Sequence, residues 1–289
     1  MSQDVYFSSG ALNLGVVGAL TYLVEQEGVE SIELSAGPYD PAGIQWLKDH
    51  SHDLSVQLHN YFPVPKDPFV LNLASTNSEL RDRSVALALD AIELSHVIGA
   101  TRYSVHAGFC ADPNPKQLGR SWDGLSRFEA EAALECFGRS LDILARAAHE
   151  RGIALLVENN VLISSVAAEL GEDVLLMASV DQILSTMEML PRGVRLLLDV
   201  GHLGVSCQTL GVDPRMEIQR LEGWIGGYHL SENDGCQDEN RSVNRESWFW
   251  TYLRNDVDFA TLEVKVSPGE ARNQVTLTRQ LWGCDGGNQ

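Results

Sequence analysis

The sequence predicts an α/β protein folded as a single closed (β/α)8 TIM barrel. Eight short β-rich runs alternate with helix-period stretches, no Pro/Gly/Ser-rich linker divides the 289 residues, and no phosphate-cradling turn follows an early strand. Parallel strands joined by crossover helices produce that alternation. An open sheet built around a nucleotide would carry a GxGxxG or GxxxxGK(S/T) turn, and Gly10, Gly15 and Gly18 do not have that spacing.

The strand runs are DVYFSS from Asp4, SIELS from Ser31, LSVQLH to His59, RYSVH to His106, IALLVE to Glu158, VRLLLD to Asp199, IGGYHLS through His229 and FATLEVK through Glu263. Helices are expected over 78–98, 127–151, 180–189, 214–224, 247–255 and 268–281. Asp40 before Pro41 is a start signal, Thr76 with Glu79 three residues on reads as a capping box, and Gly152 reads as a helix stop. The barrel is expected to occupy 1–283, leaving 284–289 as a short disordered tail.

Twenty-one Lys and Arg against forty Asp and Glu leave a net charge of −19, without a basic run anywhere. Such a field repels phosphate backbones and anionic lipid, so no nucleic-acid and no membrane partner is expected. No stretch reaches the roughly 18 apolar residues of a membrane span. Cys110, Cys136, Cys207, Cys236 and Cys284 are odd in number and form no CxxC pair, which reads as reduced thiols and a cytoplasmic location.

Chemistry is concentrated where the later strands stop. His59, His106, Glu158, Asp199, His229 and Glu263 each follow an apolar or aromatic residue at a strand end. All strand C-termini of a parallel barrel open on one face, so these groups converge. Three carboxylates crowded together with one imidazole call for a cation, because unpaired buried negative charge costs several kcal/mol. The run LLLDVGHLG adds His202, three residues after Asp199, at the turn leaving the strand. His50, His52, His96 and His149 lie in helical or polar contexts and are left out. In the WFW run, helix packing accounts for at least two rings, leaving Trp248 or Trp250 to stack on a sugar or cover the pocket. The polar loop Ser231 to Arg245 is long enough to act as a lid.

These motifs, LHNYFP, FVLNLASTNSELRDRSV, YSVHAGF, LLVENN, LLLDVGH, GYHLSENDG and LEVK, resemble the xylose isomerase-like TIM-barrel superfamily over nearly the whole chain. That group holds sugar isomerases and epimerases together with the apurinic/apyrimidinic endonucleases. The resemblance implies a metal held by Glu158, Asp199, His229 and Glu263, with His202 touching substrate. His59, His106 and the LNLASTNSELRDRSV segment look instead like the endonuclease branch. That branch also needs an Asp-x-His pair after strand seven, and residues 230 to 260 contain no His. The Arg that epimerases carry shortly after the strand-seven His is also missing, and Arg241 is the candidate replacement.

The expected function is a metal-dependent sugar epimerase or aldose–ketose isomerase. Glu158 and Glu263, placed across the pocket from each other, would serve as base and acid beside a metal-bound enediolate. Three carboxylates and an imidazole favour Mn²⁺, with Mg²⁺, Co²⁺ or Zn²⁺ as alternatives. The expected substrate is a small carbohydrate contacted by His59, His106, His202, Trp248, Trp250 and Arg241. The competing readings are an endonuclease-like phosphodiesterase and a sugar-processing lyase or dehydratase. A homodimer or homotetramer is left open by the sequence.

Overall fold

Eight parallel strands close into a barrel in strict sequence order, with β8 pairing back onto β1. A computed structural model describes residues 3–51, 54–117 and 124–282. The tail expected at 284–289, with Cys284 and His52, lies outside the described residues. The strands are β1 (Asp4–Ser8), β2 (Ser31–Leu34), β3 (Ser55–His59), β4 (Arg102–His106), β5 (Ala154–Glu158), β6 (Arg195–Asp199), β7 (Ile225–Leu230) and β8 (Phe259–Leu262). Each coincides with a run singled out in the sequence, and Glu263 stands one residue beyond its strand.

The connecting helices are α1 (Val16–Leu20, continued by a wider turn over Thr21–Gln26), α2 (Pro41–His50), α3 (Ser78–Ile98), α4 (Ala130–Arg151), α5 (Ser164–Leu170), α6 (Val180–Met189), α7 (Val200–Leu210), α8 (Pro214–Arg220) and α9 (Ala271–Trp282). Asp40 caps α2 by accepting from the Gly43 amide, and Gly152 ends α4 in the left-handed region. The expected capping box before α3 is replaced by a different cap. Asn77, not Thr76, accepts from the Glu79 and Leu80 amides.

Three helical stretches differ from expectation. Helices α5 and α7 form outside the expected helices, α7 at the turn expected after Asp199. The helix expected over 247–255 reduces to one 3₁₀ turn, Trp250–Tyr252. Its sequence is aromatic-rich, which costs rotamer freedom in a helix, and side chains compete for its backbone: Asn244 accepts from the Glu246 amide and Tyr228 Oη from the Arg254 amide.

Two layers of burial follow from strand parity. Val5, Phe7, Ile32, Leu34, Tyr103, Val105, Leu155, Val157, Leu196 and Leu198 face the helices and build the main core. The alternate positions face the lumen. There Tyr6, Leu156, Leu197 and Phe259 pack as a separate apolar plug, with the Arg102 guanidinium 4.2 Å from the Phe259 ring. Gly227 is required by this plug, since a Cβ there would stand 2.2 Å from Phe259. Two residues further along each strand, where the plug ends, the polar groups begin. No described helix is long and apolar enough to cross a membrane.

Candidate metal centre

Glu158, Asp199, His229 and Glu263 share the lumen-facing parity of Leu156, Leu197, Gly227 and Phe259, so strands β5 to β8 aim all four at one point. Each brings one ligand-type atom to within 4.8 Å of the others. His229 Nδ1 lies 3.4 Å from Glu158 Oε1, 3.5 Å from Glu263 Oε2 and 4.0 Å from Asp199 Oδ2. Its other nitrogen, Nε2, donates to Glu33 Oε2 at 3.2 Å, which orients the ring.

These residues fit a divalent cation. Glu158 Oε1 and Oε2, Asp199 Oδ2 and His229 Nδ1 are all buried with no hydrogen-bond partner. Leaving such atoms unsatisfied costs of order 1–3 kcal/mol each. Ligand bonds of about 2.0–2.2 Å keep two ligands of one ion within ~4.4 Å of each other, and the three His229 separations satisfy that limit. A cation taking one atom from each residue gives Glu158 Oε1, Asp199 Oδ2 and His229 Nδ1 a partner at once, which no single protein donor can do.

The protonation pattern points the same way. Burial disfavours a charged His229 ring, but Glu33 and Glu158 hold it well above the usual imidazole range. Burial pushes Asp199 up to about 7, opposed by His202 and reinforced by Glu158 and Asp238. Glu158 moves the other way: burial raises it, and His106, His229 and His59 together hold it well below the usual carboxylate range. Burial likewise raises Glu263, yet His229 draws it down to about 2. The His229 proton and a cation therefore compete for the same carboxylates.

The remaining strand-end histidines gather around Glu158. His59 Nε2 is 3.2 Å and His106 Nε2 3.6 Å from Glu158 Oε2, and His59 Nδ1 is tied to Ser104 Oγ at 2.8 Å. Burial takes His106 down to about 4, against the pull of Glu158. His59, His106 and Glu158 form a second group with metal-ligand spacing. His202 enters as the third residue of α7. Its Nδ1 donates to the Asn159 carbonyl at 2.8 Å, and its Nε2 lies 3.5 Å from Asp238 Oδ2.

Trp248, Trp250 and Arg241 are not brought to the centre. Trp248 packs edge-on against Phe249, and Trp250 Nε1 donates to the Asn244 carbonyl. The Arg241 guanidinium pairs with Glu239 and Asp234 inside its own loop. The loop over 231–245 does border the site, through Gln237, Asp238 and Asn240. Strands β5 and β8 stand three places apart in the ring, and the strand opposite β5 is β1. Glu158 and Glu263 consequently meet at one imidazole nitrogen instead of facing each other across the pocket.

One functional candidate escaped the sequence reading, and for a second, Glu33 at the end of its strand, the sequence does not identify the partner. Asp238 has no local signature. Glu33 had a usable one, an acid between the core residues Ile32 and Leu34. It is fully buried in β2 and accepts from Gln57 Nε2 at 2.7 Å and Thr261 Oγ1 at 3.1 Å as well as from His229. Glu33→Gln is expected to weaken metal binding about 10- to 100-fold, read by competition with a chromophoric chelator. Unchanged affinity would show that Glu33 does not position His229.

A family model described as a xylose isomerase-like TIM barrel matches residues 22–263. No curated protein matches the chain. Among solved structures, a D-tagatose 3-epimerase-like protein is 18% identical with a TM-score of 0.68, covering 96% of this chain and 95% of the other. A Thermus thermophilus protein soaked with zinc chloride is 19% identical with a TM-score of 0.65, covering 99% and 100%. An L-ribulose 3-epimerase is 15% identical with a TM-score of 0.65, covering 98% and 93%. At these identities the likeness establishes the fold.

Proposed function

Because the chain belongs to the xylose isomerase-like TIM barrel family, we propose that it is a divalent-metal-dependent sugar epimerase or isomerase that moves a proton at the carbon next to a carbonyl. The observation that supports the metal requirement is the convergence of Glu158, Asp199, His229 and Glu263, with buried ligand-type atoms that lack a hydrogen-bond partner. The sugar assignment draws support from the structural neighbours named as epimerases and from the hydroxyl- and amide-lined cavity beside Glu263. When bound, the ion, Mn²⁺ before Mg²⁺, Co²⁺ or Zn²⁺ for this donor set, polarises a carbonyl and its neighbouring hydroxyl.

The chain's own part is proton handling. Glu263 is about one-fifth exposed and reaches the cavity, and Glu158 stands fully buried behind His59 and His106. Glu158 and Glu263 are assigned as the base and acid. His59 and His106 border the cavity and exclude bulk water from Glu158. Incubating the metal-replete protein with a ketose and sugar-acid panel in deuterated water tests this. Product labelled at the reacting carbon is expected, together with about one tightly held ion per chain by elemental analysis. Unlabelled product throughout would remove the proton-transfer reading.

One observation favours a second reading. The His59, His106 and Glu158 group offers a place for a second ion, an arrangement suited to phosphodiester hydrolysis. The charge of −19 opposes a DNA substrate. No cleavage of an abasic duplex is therefore expected in a gel assay at low and high salt. Efficient, metal-dependent and salt-sensitive nicking would reverse the order of the two readings.

A further inference from the structure

Two cavities meet at Asn60, Tyr61 and His106, and the larger is the more apolar of the two. The smaller, about 280 Å³, presents Ser8, Ser35, Asn240, Glu263 and Lys265. The larger, about 620 Å³, is walled by Tyr61, Phe69, Phe109, Val161, Ile163 and Leu175, and it reaches the centre through His202 and Asp238. Among the described residues no Lys or Arg lines it, so those residues offer a phosphate or nucleotide no counter-charge.

The apolar wall is braced. The Tyr61 hydroxyl accepts the Phe69 amide at 2.7 Å, the two rings meet edge to face at 5.7 Å, and the Arg83 guanidinium lies 4.2 Å from the Phe69 ring centre. A preformed apolar cavity of this size is built to take an organic group, since polyhydroxyl surface gains nothing from such walls. We propose that the substrate is a glycoside that has an uncharged aromatic aglycone and carries, at a carbon of its sugar ring, the ketone beside which the proton is moved. The sugar ring lies in the smaller cavity, where Ser8, Ser35, Asn240 and Glu263 can meet its hydroxyls, and the aglycone fills the larger, more apolar one. This inference rests on the sugar-enzyme reading above and narrows its substrate class.

Titration calorimetry on the metal-replete protein, with phenyl and methyl glycosides of the same hexoses in both anomeric forms, tests it without turnover. At least one phenyl glycoside is expected to bind about tenfold to a hundredfold more tightly than its methyl counterpart, the gain from burying one aromatic ring. Ile163→Asn and, independently, Val161→Asn are expected to erase that gain while leaving methyl glycoside binding unchanged. A thermal melt identifies a variant that has lost its fold, and the other then decides. Equal affinities for every pair, no binding of any glycoside at millimolar concentration, or a phenyl preference that survives in a folded variant each overturn the proposal. Deuterium labelling of free ketoses without a phenyl preference would sink the aglycone and keep the proton-transfer reading. A phenyl preference without labelling of any sugar would do the reverse.

Discussion

Glu158→Gln and Glu263→Gln are each expected to lower deuterium incorporation into product by at least roughly a hundredfold, the lower end of what a positioned acid or base contributes. Glutamine keeps the shape and one carbonyl oxygen of glutamate, so packing against His59, His106 and His229 survives while the group loses its proton-accepting capacity. Both residues are also proposed ligands, and the comparison has to be made at saturating Mn²⁺ with metal content measured on the same sample. Loss of exchange with metal retained supports the proton role. Full activity and unlabelled product in Glu158→Gln would point to hydride transfer or to another base such as His202.

The second large effect concerns the ion itself. A ligand present at a thousand times its dissociation constant stabilises the folded state by about 4 kcal/mol. Chelation of the wild-type protein is therefore expected to lower its melting temperature by several degrees. Asp199→Asn and His229→Gln are expected to melt at the same temperature with and without chelator, and to hold little metal. Asparagine suits position 199 because it can still accept the His202 amide bond that Asp199 Oδ1 accepts at 2.7 Å, so the start of α7 is kept. Glutamine at 229 can still donate toward Glu33 but presents no imidazole nitrogen to the carboxylates. A chelator response equal to wild type in both variants would show that the ligands are misassigned.

Most of the barrel was legible because strand patterning is local. Every strand run is a short stretch rich in apolar residues that can be read without knowledge of its neighbours, and polar residues ending it on the C-terminal side mark the open face. His59, His106, Glu158, Asp199, His202 and His229 were visible for that reason. Partners that meet only through closure were not. Glu33 reaches His229 across a sequence separation of 196 residues, around the β8–β1 seam, and nothing near Glu33 announces that partner. Asp238 touches His202 from a loop whose path depends on tertiary contacts. The WFW segment misled because its rings pack on the barrel wall, where aromatic residues look the same in sequence as a sugar-stacking platform.

Asp199 shows why the site is particular about side-chain length. Strand β6 ends at this residue and α7 begins at the next, with no loop between them. One carboxylate oxygen is committed to the helix and the other is aimed at the cluster. A glutamate would keep the charge, but its extra methylene would displace the group by more than ~1 Å from one of those two tasks. An asparagine would keep the helix and give up the charge. Aspartate alone spans both distances, so strand, helix and site are bound together by the reach of one short side chain, and this position should tolerate no change that a looser loop-borne ligand could absorb.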